Sequence, residues 1–99
     1  MNDLTHNIRN WAIYRGLDQA DPHKQFLKVS EEFGEIAEGL AKGNFDLTED
    51  AIGDTYVTLV ILAAQLGTSI EACVMKAYDE IKDRTGEMKN GVFVKSEDL

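Results

Sequence analysis

The sequence is poor in the residues that crosslink, bend or ligate a chain: one cysteine, one proline and two histidines in 99 residues. A lone Cys73 excludes an intramolecular disulfide, and its place in an apolar helical pattern reads as a buried small hydrophobe rather than a reactive thiol. His6 and His23 have no partner spacing that suggests a nucleophile or a zinc site. Basic residues are also scarce, ten Lys and Arg against eighteen Asp and Glu, a formal charge of −8. A nucleic-acid binder needs Lys and Arg to displace counterions from the phosphate backbone, so this balance argues against one and no nucleic-acid partner is expected. An acidic chain can still take a single nucleotide if a metal ion brings the positive charge. Long apolar runs are absent too: the richest, Tyr56 to Leu66, contains Thr58 and Gln65 and is too short to span a bilayer. The start, Met-Asn-Asp-Leu-Thr-His, shows no signal peptide, so a soluble, cytoplasmic protein without membrane contact is expected.

What the sequence has is helical periodicity. Ninety-nine residues suffice for one domain over positions 1–99, of a size at which self-association often completes the burial. A first helix, roughly Asp3 to Arg15, carries Leu4, Ile8, Trp11 and Ala12 and stops at Gly16. Asp21-Pro22 is an N-cap acceptor followed by a proline at the first helical position, and predicts a second helix from Pro22 to about Lys42, closed by Gly43-Asn44. Asp46 and Glu49 have capping-box spacing and open a third helix to Leu66, apolar nearly all round and therefore central. Thr68 and Glu71 repeat that spacing before a fourth helix, which ends in Lys82-Asp83-Arg84. Basic residues there suit the helix dipole. Asn90-Gly91 predicts a tight turn with at most a short extended piece, and no sheet is expected. The fold class is all-α, four helices plus a tail.

The chemistry concentrates in Val29-Ser-Glu-Glu-Phe-Gly-Glu-Ile-Ala-Glu38, four carboxylates in eight residues. Helical geometry stacks Glu31, Glu32 and Glu35 on one side, while Phe26, Val29, Phe33, Ile36 and Leu40 turn elsewhere; Glu38 reads as solvated. Like charges four apart cost a helix a few tenths of a kcal/mol per pair, so the crowding asks for compensation. A second pair, Asp50 and Asp54, again four apart, sits at the start of the apolar third helix. Carboxylates without His or Cys suit Mg²⁺ or Mn²⁺ far better than zinc, and Mg²⁺ commonly bridges to substrate phosphates. The bland alternative for the Glu cluster, a solvated acidic face, is weakened by Asp50 and Asp54 on an otherwise buried helix.

These residues give the chain a family likeness. The Trp11 helix, Lys28-Val-Ser-Glu-Glu-Phe-Gly-Glu35, the Asp50-Ala-Ile-Gly-Asp54 run and the closing Lys82-Asp-Arg84 and Asn90-Gly-Val-Phe-Val-Lys95 resemble small single-domain MazG-like nucleoside triphosphate pyrophosphohydrolases. The resemblance implies Mg²⁺-dependent hydrolysis of a (deoxy)nucleoside triphosphate to monophosphate and pyrophosphate, by a helical bundle that forms a homodimer or homotetramer. It makes Glu32, Glu35 and Asp54 metal ligands. It also exposes a departure: the family's second motif is Glu-x-x-Asp, but Ala51 stands three before Asp54. Asp50 supplies the missing oxygen, or one ion fewer binds, or the protein binds nucleotides without cleaving them well; the first is favoured, because i and i+4 lie side by side. Glu31 or Glu35 would orient or deprotonate the attacking water. Lys28, Lys82 and Arg84 are candidate phosphate contacts, Lys28 being equally suited to a salt bridge with Glu31 or Glu32. Trp11 offers a stacking platform for a base, although its spacing also suits a core residue. The competing classes are a nucleotide sensor with weak catalysis and a small helical protein-interaction module.

Overall fold

The computed structural model describes residues 3–99, so the reading of the Met-Asn start lies partly outside it. Four helices follow one another: α1 (Asp3–Tyr14), α2 (Pro22–Lys42), α3 (Phe45–Gln65) and α4 (Ile70–Ile81). A 3₁₀ turn, Leu17–Gln19, joins α1 to α2, and the chain ends in strands β1 (Gly86–Lys89) and β2 (Val92–Lys95) and a second 3₁₀ turn, Ser96–Asp98. The start of α2 is built as expected: the Asp21 side chain accepts from the His23 N–H at 2.9 Å, with Pro22 in the first turn. Its end is Gly43 at φ 64°, a left-handed position that favours glycine. Both expected capping boxes are displaced. The Asn44 side chain, not Asp46, caps α3 by accepting from Leu47 N–H at 3.1 Å. Ser69, not Thr68, caps α4 through Ala72 N–H, also at 3.1 Å.

The expectation of no sheet is corrected. β1 and β2 pair antiparallel, Gly86 opposite Lys95 and Lys89 opposite Val92. Asn90 (φ 54°) and Gly91 (φ 80°) supply the two positive-φ positions of a two-residue hairpin turn, whose twist matches the strands.

Apolar on most sides, α3 is the element against which α1, α2, the first 3₁₀ turn and α4 all pack. Val60 and Ala63 of α3 form a buried cluster with Ile70 of α4, with Ile8, Tyr56 and Leu59 packed against them. Polar clamps hold the neighbours in place. The Thr5 and Tyr56 hydroxyls are 2.8 Å apart, Gln25 Nε2 donates to the Thr58 carbonyl at 3.1 Å, and Gln65 Nε2 to the Leu17 carbonyl at 3.0 Å. The Arg9 guanidinium ties α1 to the first turn of α4 by bonding Glu71, which holds that carboxyl down to about 2.

Several expected core residues lie outside. Thr5, Ile8, Arg9 and Ala12 form the inner face of α1, leaving Leu4 exposed and Trp11 half-exposed. On α2 the row facing α3 is Gln25, Val29, Glu32, Ile36 and Gly39, so Phe26, Phe33 and Leu40 are 57%, 54% and 68% exposed. α4 leaves α3 at 103° and is buried only at Ile70, which is why Cys73 is exposed rather than buried. The radius of gyration is 16.2 Å, against about 13 Å for a compact domain of this length. A closed four-helix bundle is not made within one chain.

Gly39 sets how closely α2 approaches α3. A Cβ there would meet the Thr48 side chain, and its backbone N at 2.9 Å and Cα at 3.0 Å. Gly39→Ala would gain roughly 1 kcal/mol of helix propensity, but displacing backbone in a packed contact typically costs about 1–3 kcal/mol. The steric term wins: a lower urea midpoint at unchanged slope is expected, and a raised midpoint would contradict the close contact.

A candidate metal centre between two antiparallel helices

The two-residue connection Gly43-Asn44 folds α3 back along α2. Gly39 then meets Thr48 near the turn and Gln25 meets Thr58 farther along, which puts the middle of α2 opposite the first half of α3. Glu32 is the acidic member of the inner row of α2; Glu35 stands one turn on, at the edge of that row. On α3, Asp50, Asp54 and Val57 form an i, i+4, i+7 stripe. The register brings the two sets together: one carboxylate oxygen each from Glu32, Glu35 and Asp54 lie within 4.8 Å of one another.

Glu32 and Asp54 are half-buried and Glu35 is exposed. The Glu32 Oε2 atom is buried with no hydrogen-bond partner. Burial is the main force raising the Glu32 carboxyl above the usual carboxylate range, followed by its hydrogen bond to Glu35 and the charges of Glu35, Asp54 and Glu31. Asp54 is raised as well, by burial first and then by the charge of Asp50 and a hydrogen bond from it. The cluster thus has three converging oxygens, a shortage of positive charge and an orphaned buried acceptor. Three hard oxygen donors open to solvent on one side fit a divalent cation such as Mg²⁺, which keeps several waters.

The remaining sequence candidates are distributed around this centre. Asp50 is exposed and bonds the flank of Asp54 without joining the three converging oxygens. Ala51, where the resemblance expects a carboxylate, has 0% exposure in the contact core. Glu31 points to solvent and pairs with Lys28 at 3.5 Å. Lys82 pairs with Asp79 at 3.4 Å. Arg84 lies in a mixed-charge cavity between α4 and β2, lined by no residue of α2 or α3, so within one chain neither it nor Lys82 joins the acidic centre. Trp11 borders an apolar cavity between α1 and α3. Asn7, on the stripe Leu4, Asn7, Trp11 one position off the inner face of α1, and Val57 of the apolar third helix line that cavity as well.

No protein-family model matches the chain, and no solved structure matches it. Among curated proteins, an uncharacterized 18.2 kDa protein of the rep–hol intergenic region of Haemophilus phage HP1 (strain HP1c1) is 47% identical over 66 residues. That stretch covers 66% of this chain, and 40% of the phage protein's length.

The raised acids have a consequence for stability. Their folded pKa values exceed the unfolded ones, so the folded state holds protons more tightly, and without metal stability falls as pH rises past 3.8 for Asp54 and 4.5 for Glu32 through the raised values. Glu32→Gln, which cannot ionise, should raise the metal-free melting temperature at pH 8 by a few degrees and have little effect at pH 4. The same variant should abolish any stabilisation by millimolar Mg²⁺. Differential scanning fluorimetry reads both, and a lower melting temperature for the variant at pH 8 would contradict the crowding of charge.

Proposed function

We propose that the chain hydrolyses a (deoxy)nucleoside triphosphate at the α–β phosphoanhydride, releasing the monophosphate and pyrophosphate, as a MazG-like enzyme acting on a cytoplasmic nucleotide pool. The observation that carries this reading is the convergence of Glu32, Glu35 and Asp54 from two helices around a buried, unpartnered carboxylate oxygen. Mg²⁺, with Mn²⁺ as a substitute, would supply charge neutralisation on the triphosphate and a bound water of lowered pKa. Glu32, Glu35 and Asp54 would hold it, with Asp50 fixing the orientation of Asp54 from its flank instead of replacing the ligand absent at Ala51. Glu35, exposed at the rim, is placed to orient the attacking water or take its proton, and Glu31 is the neighbouring candidate. Lys28 reaches a phosphate by leaving Glu31, and an exposed pair of that kind is worth less than about 1 kcal/mol, so the exchange is easy.

Self-association as a homodimer or homotetramer belongs to the same proposal. Support comes from the uncovered Phe26, Phe33 and Leu40 stripe and from α4, whose exposed Val74, Tyr78 and Ile81 find no cover in their own chain. A second copy would also be the source of any contribution by Lys82 and Arg84. The buried Ala51 favours one other reading, a nucleotide sensor that keeps the site and cleaves weakly. The exposed apolar stripe favours an interaction module, which would not depend on the acids.

Pyrophosphate release from a panel of canonical and modified nucleoside triphosphates, with Mg²⁺ or Mn²⁺ and with EDTA as control, tests the proposal. Metal-dependent release is expected. Partners that merely orient metal ligands cost roughly 10–100-fold when removed, so Asp54→Asn should lose at least that much turnover while keeping its helical circular dichroism. EDTA-insensitive release, or an Asp54→Asn variant as active as the parent, would remove the metal mechanism. Saturable nucleotide binding without release would select the sensor.

A further inference from the structure

We propose that β1 is a docking edge for a second copy of this chain: two hairpins pair β1 to β1 across a two-fold axis centred on Met88 and make one four-stranded antiparallel sheet. The inference goes beyond the self-association above, which concerns helix faces, and holds whether or not the chain hydrolyses nucleotides. Which backbone groups of β1 are free follows from a bond at the base of the hairpin, where the Ser96 N–H donates to the Thr85 carbonyl at 2.8 Å. Bonded and non-bonded pairs alternate along an antiparallel ladder. Continuing from that bond, Glu87 with Val94 and Lys89 with Val92 are bonded pairs, while Gly86 with Lys95 and Met88 with Phe93 are not. The N–H and C=O groups of Gly86 and Met88 therefore point away from β2, and no third strand among the described residues takes them. The far edge of β2 is less open. Val94 and Lys95 are half-buried, with Lys95 lining the cavity beside α4, whereas all four residues of β1 are exposed.

Charge selects both the occupant and the register. Exposed edges are commonly blunted by charged side chains, lysine above all. β1 instead carries opposite charges two residues apart on one face, Glu87 and Lys89, 3.9 Å from each other. This pattern is complementary to itself when the strand is turned around. Of the registers that set free backbone groups opposite one another, those centred on Glu87 or Lys89 put a charge directly against its own copy, which is destabilising, and one centred on Gly86 puts Glu87 against Thr85. Centred on Met88, the two Met88 residues exchange both backbone hydrogen bonds. Each Glu87 then faces Lys89 of the second copy in a non-bonded pair, where Cα atoms are about 4.5 Å apart and side chains are closest. The same register aligns Phe93 and Met88 of one copy with Met88 and Phe93 of the other across the opposite face, side chains that are 47% and 64% exposed in a single chain. Gly86 lets the Phe93 ring lie across β1, since a Cβ there would stand 2.6 Å from Phe93 Cζ. Three or more strands with an apolar face reach the stability that a lone hairpin lacks.

Sedimentation velocity of the full chain at rising protein concentration tests the edge. Glu87→Lys and Lys89→Glu should each lower the weight-average mass, because two opposed pairs turn from attraction to repulsion and weaken the association about ten-fold. An equal mixture of the two variants, in which every opposed pair is again Lys against Glu, should restore the mass of the parent. Neither variant regains the ion pair within its own strand, so rescue in the mixture can only be intermolecular. The register has its own readout. In a Cys73→Ser background, Glu87→Cys and Lys89→Cys chains should form a disulfide with each other under mild oxidation, and neither with itself. A parent that stays a single chain at every concentration would overturn the proposal. A mass that ignores both charge reversals would overturn it too, leaving the helix faces to hold the copies and the self-association above intact. Glu87→Cys chains that cross-link with themselves would place the axis elsewhere and would likewise contradict it. Pyrophosphate release is measured separately: paired edges without release would support the edge and remove hydrolysis, and release by a chain with unpaired edges would do the reverse.

Discussion

Everything at the candidate centre depends on the close antiparallel contact of α2 and α3. Gly39 against Thr48 fixes the approach near the turn, and Gln25 bonded to the Thr58 carbonyl fixes the register farther along. Between those points the inner row of α2 presents Glu32 where other helices would present a hydrophobe. The contact therefore brings like charges together instead of hiding apolar surface, and leaves one Glu32 oxygen buried without a partner. A folded chain bears such a cost where something else offsets it. A divalent cation would relieve the repulsion and the orphaned acceptor together.

The rest of the molecule holds this hairpin rather than enclosing it. α1 covers one side of α3 through Ile8, Ala12 and the Thr5–Tyr56 hydrogen bond, and thereby raises a wall beside Val57. Arg9 and Glu71 anchor the first turn of α4, beyond which that helix and the hairpin of β1 and β2 carry their apolar residues in the open. A two-stranded hairpin is marginal by itself in water. Cover for these residues by a second copy belongs to the proposed self-association.

The parts legible in the sequence were those set by local chemistry. Asp21-Pro22 and Gly43 marked α2 because a side-chain acceptor, a fixed φ and a left-handed residue act within a few positions. The i, i+4 spacing of Asp50 and Asp54 and the density of Glu around position 32 marked the acids. Tertiary preferences were not legible. Phe26, Phe33 and Leu40 recur every seven residues and look like a core, but α3 packs on the row containing Gln25, Glu32 and Gly39, which is less apolar than the stripe it leaves exposed. The same cause misplaced Cys73: a periodic face predicts a partner, not whether the partner is in the same chain. Ala51 was legible as a departure, and its complete burial assigns it to the helix contact, with Asp50 beside Asp54 rather than in its place.

The most direct test of the central claim is to locate the ion itself. Crystals of the protein grown with millimolar Mn²⁺ and measured at a wavelength where manganese scatters anomalously should show a peak bound jointly by Glu32, Glu35 and Asp54, absent from Glu32→Gln crystals grown the same way. An anomalous map with no peak between α2 and α3, or with manganese held elsewhere while those three carboxylates stay protonated and bonded to one another, would contradict the account.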